Sequence, residues 1–200
     1  IRNYRGKPLE GGQPVKDLIC ALGDSLTWGY PFGPEYSWAR SLGPVRVKNF
    51  GRNGDTLGDM LLRTEQALAP KPLYLLVMGG ANDLYCRRSR PQMETDLLAI
   101  AGQAEAEGAR PVLGLCPPVL DESEGGLARW RDRQKELAAI KDWPAIDFFS
   151  CLSDAKGEPR RELFWDECHL TKEGYGEMRR CFVKSIGKLV PSLIDFSGRY

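Results

Sequence analysis

Five residues, far apart in the chain, have the types that acyl transfer at a serine requires: Ser25 in "GDSLTWG", Gly54 in "NFGRNGDT", Asn82 in "GGAND", and Asp166 with His169 in "WDECHL". A serine hydroxyl is a weak nucleophile until a base takes its proton. Imidazole is the natural base at neutral pH, and His169 is the one histidine of the chain. Asp166 stands close enough to His169, within a local turn, to bond the ring nitrogen that faces away from the serine. That bond fixes the tautomer and stabilises the imidazolium. Attack on a carbonyl also creates an oxyanion, which needs donors fixed in advance. Three donors are available: the backbone N–H of Ser25 at a turn entering a helix, the backbone N–H of Gly54 in an Asn-Gly-Asp turn, and the side-chain amide of Asn82. Each type also has a plainer use, since Gly and Asn favour turns and a lone histidine can sit anywhere.

The elements that would position these residues follow from apolar periodicity. Strands are expected at Val15–Leu22, Val45–Phe50, Leu73–Met78, Pro111–Leu115 and Ala145–Phe149. Helices are expected from about Thr56 to Ala69, Pro91 to Glu107, Gly126 to Lys141 and Thr171 to Leu189, all but the second on apolar residues at helical spacing. Pro91 near a start and Gly108 just past an end suit the second of these. Alternating strands and helices imply crossovers and a parallel sheet covered on both faces. In such sheets ligands bind beyond the carboxyl ends of the strands. "GDSL" follows the first strand, "GRNGDT" the second, "GGAND" the third and "WDECHL" the fifth, so four polar segments are predicted to meet at one sheet edge.

The rest of the composition sets bounds. The chain has 200 residues, 42% hydrophobic and 28% charged, with formal net charge +1, as expected of one globular domain with a real core. Nothing in that charge balance points to nucleic acid or an anionic membrane. The longest apolar run, Leu73 to Met78, is too short to span a membrane. Residues 1–14, rich in Gly, Pro and charge, read as an N-terminal arm, and residues 15–200 as a single domain. No signal-peptide pattern is present, although the chain begins at Ile1 and leaves room for an upstream piece. Six cysteines without a C-x-x-C spacing read as reduced, buried thiols of a cytoplasmic protein. One histidine leaves a zinc site few ligands, so no metal is expected.

Taken in order and at this spacing, the four segments resemble the GDSL esterase and lipase family, also called SGNH hydrolases. The resemblance spans about Leu18 to Leu170. It implies a flavodoxin-like three-layer α/β/α sandwich with a five-stranded parallel sheet. It also implies a nucleophile at Ser25, oxyanion donors at Ser25, Gly54 and Asn82, an acid and base at Asp166 and His169, and no cofactor. The serine turn is not the G-x-S-x-G elbow of another hydrolase class, since Leu26 and Thr27 follow it.

Other residues have readings of their own. "MGGAND" lacks the G-K-[ST] of a phosphate loop. Cys168 adjoins His169, but adjacent side chains point apart, which makes it a packed thiol. Asp24 and Asp83 are expected to brace the turns beside Ser25 and Asn82. In "TWGYPFGPEYSW", Trp28, Tyr30 and Phe32 are candidates for lining an acyl or alcohol pocket, while Trp38 is expected to pack at the start of a helix. The connection from Leu26 to Pro44 is expected to fold close to the surface. Arg87, Arg88 and Arg90, and Arg129, Arg131 and Arg133, read as solvated charged faces rather than anion sites.

The expected activity is hydrolysis of carboxylic esters, with short acyl chains because no insertion is long enough for a lid and deep tunnel. O-deacetylation of a carbohydrate and thioester hydrolysis use the same residues, so the expected partner is a small ester or acylated sugar. A catalytically silent module holding a lipid or sugar is the alternative from another class. The sequence sets no oligomeric state.

Overall fold

A computed structural model of the chain describes residues 18–41 and 46–189. The expected arm therefore lies outside the described residues, as do the starts of the first two expected strands. Five strands form one parallel sheet: β1 (Leu18–Gly23), β2 (Arg46–Gly51), β3 (Tyr74–Met78), β4 (Arg110–Leu115) and β5 (Ala145–Asp147), in the order β2-β1-β3-β4-β5. Among the described residues eight α-helices accompany them, besides a 3₁₀ turn at Arg161–Leu163: α1 (Ser25–Trp28), α2 (Leu57–Leu62), α3 (Thr64–Leu68), α4 (Ala81–Tyr85), α5 (Arg90–Ala106), α6 (Glu124–Lys141), α7 (Phe148–Cys151) and α8 (Lys172–Leu189). This is the flavodoxin-like strand order, with β1 at the centre of the chemistry-bearing half.

Side chains alternate across a strand, so each strand feeds two cores. On β1, Leu18, Cys20 and Leu22 join Met60, Ala67, Leu97, Ile100 and Trp130, from α2, α3, α5 and α6. Ile19 and Ala21 face the other way, toward Trp38, Phe148, Tyr175, Met178 and Phe182. The sheet is thus covered on both faces, and its strands read as continuous apolar runs for that reason. Each large side chain so buried contributes roughly 1.5–3 kcal/mol. The connection after α1 runs at the surface through Pro34–Tyr36, as its Gly and Pro content suggests, and then turns inward. Ser37, Trp38 and Ala39 are fully buried, and Trp38 packs on Phe148 and Phe182 from a run of turns rather than from a helix start.

Two elements depart from their periodicity. The helix expected from Thr56 to Ala69 is broken at Arg63 (φ −123°, ψ 14°) into α2 and α3. At the break the Arg63 guanidinium donates to Phe50 O and Gly23 O at the ends of β2 and β1, and Thr64 donates its hydroxyl back to Met60 O. The fifth strand stops at Asp147 rather than Phe149, since the Asp147 carboxylate accepts from Ser150 N–H at 3.0 Å and caps α7. No helix among the described residues is long and apolar enough to cross a membrane. All six cysteines are free, with Cys20 and Cys116 buried but Cys86 exposed, against the expectation of buried thiols throughout.

Candidate active site

β1 ends at Gly23, flanked in register by Gly51 of β2 and Met78 of β3. The three loops that leave these strands are therefore neighbours. Asp24 turns the chain into α1 and accepts from Leu26 N–H at 2.9 Å. That cap makes Ser25 the first helical residue and leaves its own N–H without an intrahelical acceptor. α1 lies directly on the backbone of β2: a Cβ at Gly51 would stand 2.1 Å from Trp28 N. Glycine there is what lets the serine turn sit so close to the sheet.

The Ser25 hydroxyl lies 3.1 Å from His169 Nε2. On the far side of the ring, Nδ1 is 2.8 Å from Asp166 Oδ2. An ionised carboxylate only accepts, so Nδ1 carries the proton and Nε2 is free to accept from Ser25 Oγ–H. Asp166 is itself fixed by its own loop, accepting from His169 N–H at 2.7 Å and Cys168 N–H at 2.9 Å. Burial opposes its ionisation, but these backbone donors and the imidazole outweigh that and hold the carboxyl below its usual range. The loop closes through bridge pairing of Phe164 with Leu170, and Trp165 N–H donates to His169 O at 2.8 Å. Cys168 is half-buried against the core, and burial pushes its thiol up to about 12. It is a packed thiol, as expected.

The loop after β2 carries Gly54 with φ 82°. Nothing lies within 4 Å of where a Cβ would stand, so the left-handed backbone, not crowding, calls for glycine. Asn82, on α4 after β3, donates Nδ2–H to Asp55 O at 2.9 Å, joining the two loops. One amide proton of Asn82 is used this way. Asp83 is fully buried and accepts from Leu57 N–H at 3.0 Å and from Arg88 at 2.7 Å. It braces the start of α2 rather than its own turn. Asp24 does brace the serine turn.

Sequence reasoning missed Arg63. Its Nε donates to Asp55 Oδ2 at 2.5 Å, Nη1 to Phe50 O at 2.7 Å and Nη2 to Gly23 O at 2.9 Å. One buried side chain thus ties the end of β1, the end of β2 and the residue after Gly54. Two of the supposed solvated arginines are structural as well: Arg88 bridges Asp83 and Asp96, and buried Arg131 pairs with Glu124. Arg133 pairs with Glu94 and Glu136 at the surface, and Arg87, Arg90 and Arg129 are exposed.

Of the aromatic candidates, Tyr30 packs on the His169 ring, centroids 4.5 Å apart, and Phe32 meets Trp165 edgewise at 5.6 Å. Trp28 is half-buried at the end of α1 and stays outside that ring cluster. Trp165, Tyr36 and Lys172 belong to the cluster and were not foreseen, although Trp165 is the first letter of "WDECHL". A hollow of about 450 Å³ lined by Glu65, Leu68, Lys71 and Gln103 lies near the starts of β3 and β4, at the edge opposite to the serine, and contains none of these groups.

The model of the GDSL-like lipase/acylhydrolase family matches residues 21–176. Among solved structures, a protein of the G-D-S-L family from Desulfitobacterium hafniense DCB-2 is similar at 26% identity, covering 84% of this chain and 99% of its own, with a TM-score of 0.79. The lipase/acylhydrolase from Enterococcus faecalis is similar in fold at 23% identity, 86% and 96% coverage and a TM-score of 0.73. The psychrotrophic esterase EstA from Pseudoalteromonas sp., described as inhibited by monoethylphosphonate, is similar in fold at 21% identity, 88% and 99% coverage and a TM-score of 0.70. No curated protein matches by sequence.

Proposed function

The chain belongs to the GDSL-like lipase/acylhydrolase family, and within it we propose that this protein hydrolyses small carboxylic esters through an acyl-enzyme on Ser25. The observation that carries the reading is the continuous path from Ser25 Oγ to His169 Nε2 at 3.1 Å and from His169 Nδ1 to Asp166 at 2.8 Å. In acylation, His169 Nε2 takes the Ser25 proton as Oγ bonds the carbonyl carbon. The same proton then goes to the leaving alcohol as its C–O bond breaks. Water repeats the sequence in reverse roles, delivering the acid and restoring Ser25. Asp166 holds the imidazole and balances its charge. The N–H groups of Ser25 and Gly54 and the free amide proton of Asn82 receive the oxyanion. No step in this sequence calls on a metal or cofactor.

The acyl group is short in this reading, because no described insertion builds a tunnel beside Ser25. The same groups would serve an O-acetylated sugar or a thioester. The six free cysteines support a reducing, cytoplasmic setting. A silent binding module is disfavoured by hydrogen-bond distances at both links of the triad, which binding alone does not require. A fluorophosphonate should label Ser25 stoichiometrically, and Ser25→Ala should abolish both labelling and turnover on p-nitrophenyl esters of two to four carbons. Labelling elsewhere, or turnover surviving in Ser25→Ala, overturns the assignment.

A further inference from the structure

We propose that the exposed aromatic surface beside His169, centred on Trp165, holds the alcohol half of the ester as a ring with an apolar face, either an aryl ring or the C–H face of a sugar. The inference rests on the ester-hydrolase reading above and adds which half of the substrate is selected, and by what.

The proton that His169 Nε2 takes from Ser25 must be given to the leaving oxygen, so that oxygen comes within hydrogen-bond reach of Nε2. The rest of the alcohol therefore extends along the histidine side of the cleft, not along the Gly54 and Asn82 side. What stands on the histidine side is aromatic. Tyr30 lies tilted on the imidazole at 4.5 Å and 53°, and is 39% exposed. Phe32, two residues on, meets Trp165 at 5.6 Å and 81°. Trp165 is 59% exposed, and Tyr36 continues the surface from Phe32 at 6.0 Å. Of the large hydrophobic residues exposed among the described residues, Tyr30, Tyr36 and Trp165 are gathered here, whereas Leu62, Tyr85 and Ile140 belong to separate helices, α2, α4 and α6. Scattered apolar residues need no explanation, but a contiguous patch next to a catalytic base does.

The patch is also held in place. Tyr30 O accepts from Tyr175 O–H at 2.6 Å, and Trp165 N–H donates to His169 O, so the backbone that carries each ring is tied close to the base. Trp165 and Phe32 form a near-perpendicular corner, in which a flat ligand can stack on one ring and meet the other edge-on. A linear alkyl alcohol would touch fewer atoms there. Lys172 already sits over the Tyr36 ring at 3.9 Å and Phe32 at 5.2 Å, which closes the outer end with a cation engaged in π contact.

Three acetates of primary alcohols test this with a constant acyl group: benzyl acetate, methyl 6-O-acetyl-glucopyranoside and n-butyl acetate. The wild-type protein should prefer at least one ring ester over n-butyl acetate in kcat/KM. Trp165→Ala should lose roughly tenfold more on that ring ester than on n-butyl acetate, and Trp165→Phe should recover part of the difference. The rate at which a small fluorophosphonate labels Ser25 in each variant corrects for damage to the triad. Whichever ring ester carries the larger differential loss identifies the ligand as aryl or sugar. Equal losses on all three esters, or a wild type that favours n-butyl acetate, overturn the proposal while leaving ester hydrolysis standing. Absence of both Ser25 labelling and any hydrolysis overturns the ester reading, and this inference with it.

Discussion

Arg63 makes hydrogen bonds to three acceptors on one side of the serine, and Asp83 beneath it is closed to solvent. Trp165, on the other side, leaves 59% of its surface in water, and Asp166 is half-exposed. The wall built from the loops after β2 and β3 is tied together across the chain, from Gly23 to Asn82. The wall carrying His169 is tied within itself, by backbone donors over a few residues. The difference follows from what each wall must do in the proposed reaction. Donors aimed at charge that exists only in the transition state must be oriented before it forms, and buried cross-links supply that. A base needs one orientation, which a tight local turn gives, and the surface around it is left open to meet substrate.

The strongest break of this comparison is Asn82→Ala. Asn82 exchanges no proton, so its removal should lower kcat by roughly 10² to 10³ with KM little changed. Asp83→Ala is the partner experiment. It removes the acceptor of Leu57 N–H and of Arg88, so it should lose thermal stability and still turn over faster than Asn82→Ala. Measuring kcat, KM and melting temperature for both on one short ester separates donation from bracing. An Asn82→Ala protein with near wild-type kcat would mean that the clamped wall serves the fold and not the oxyanion.

A smaller effect should come from Arg63→Lys. Lysine keeps the charge but cannot reach three acceptors with a planar fork. Gly54 would then lose the anchor at Asp55 while keeping its own backbone. A small displacement of the Gly54 N–H is expected to lower kcat by roughly ten- to a hundredfold, with KM and the rate of n-butyl to ring-ester discrimination unmoved. Equal effects on selectivity would show that the two walls are mechanically coupled. Arg63→Ala is less informative, because leaving Asp55 buried and unpaired costs about 3–5 kcal/mol and threatens folding.

What the sequence made legible and what it hid divide along the same line. β1, β3 and β4 are apolar runs buried on both faces, so their residues alone announce them. The serine, Asn82 and the Asp166–His169 pair sit in short ordered segments, each after a strand, and the geometry brings Ser25, His169 and Asp166 together. α1 is legible only as a helix entered at Ser25, and α4 not at all, because four or five residues cannot show a helical period. The role of Arg63 was hidden because the carbonyls it bonds, of Gly23 and Phe50, are distant in sequence. The aromatic surface was half seen for a similar reason: Tyr30 and Phe32 are local neighbours, but Trp165 and Lys172 join them only when residues 30–36 meet residues 165–172.

The change expected to move turnover least sharpens the comparison at the foot of the clamped wall. Asp24 is buried, with Leu26 N–H as a donor at 2.9 Å and the Asp83 and Asp55 carboxylates nearby. Burial, helped by those two carboxylates, pushes its carboxyl up to about 7. A folded-state value above the unfolded one means that the native protein binds this proton more tightly. Stability from this group is therefore complete below the unfolded value of about 3.9 and is lost as pH rises through about 7. The loss has a ceiling of roughly 4 kcal/mol, since each unit is about 1.4 kcal/mol. Asp24→Asn keeps an oxygen for Leu26 N–H and removes the charge. Between pH 5 and pH 8 the urea midpoint should thus fall further for the wild type than for Asp24→Asn, in which buried Asp83 is still raised, and the variant should be the more stable of the two at pH 8. If both proteins lose the same stability between these pH values, Asp24 is not the titrating group. The foot of that wall is then open to water, and the contrast with the exposed histidine side shrinks to the Arg63 cross-link alone.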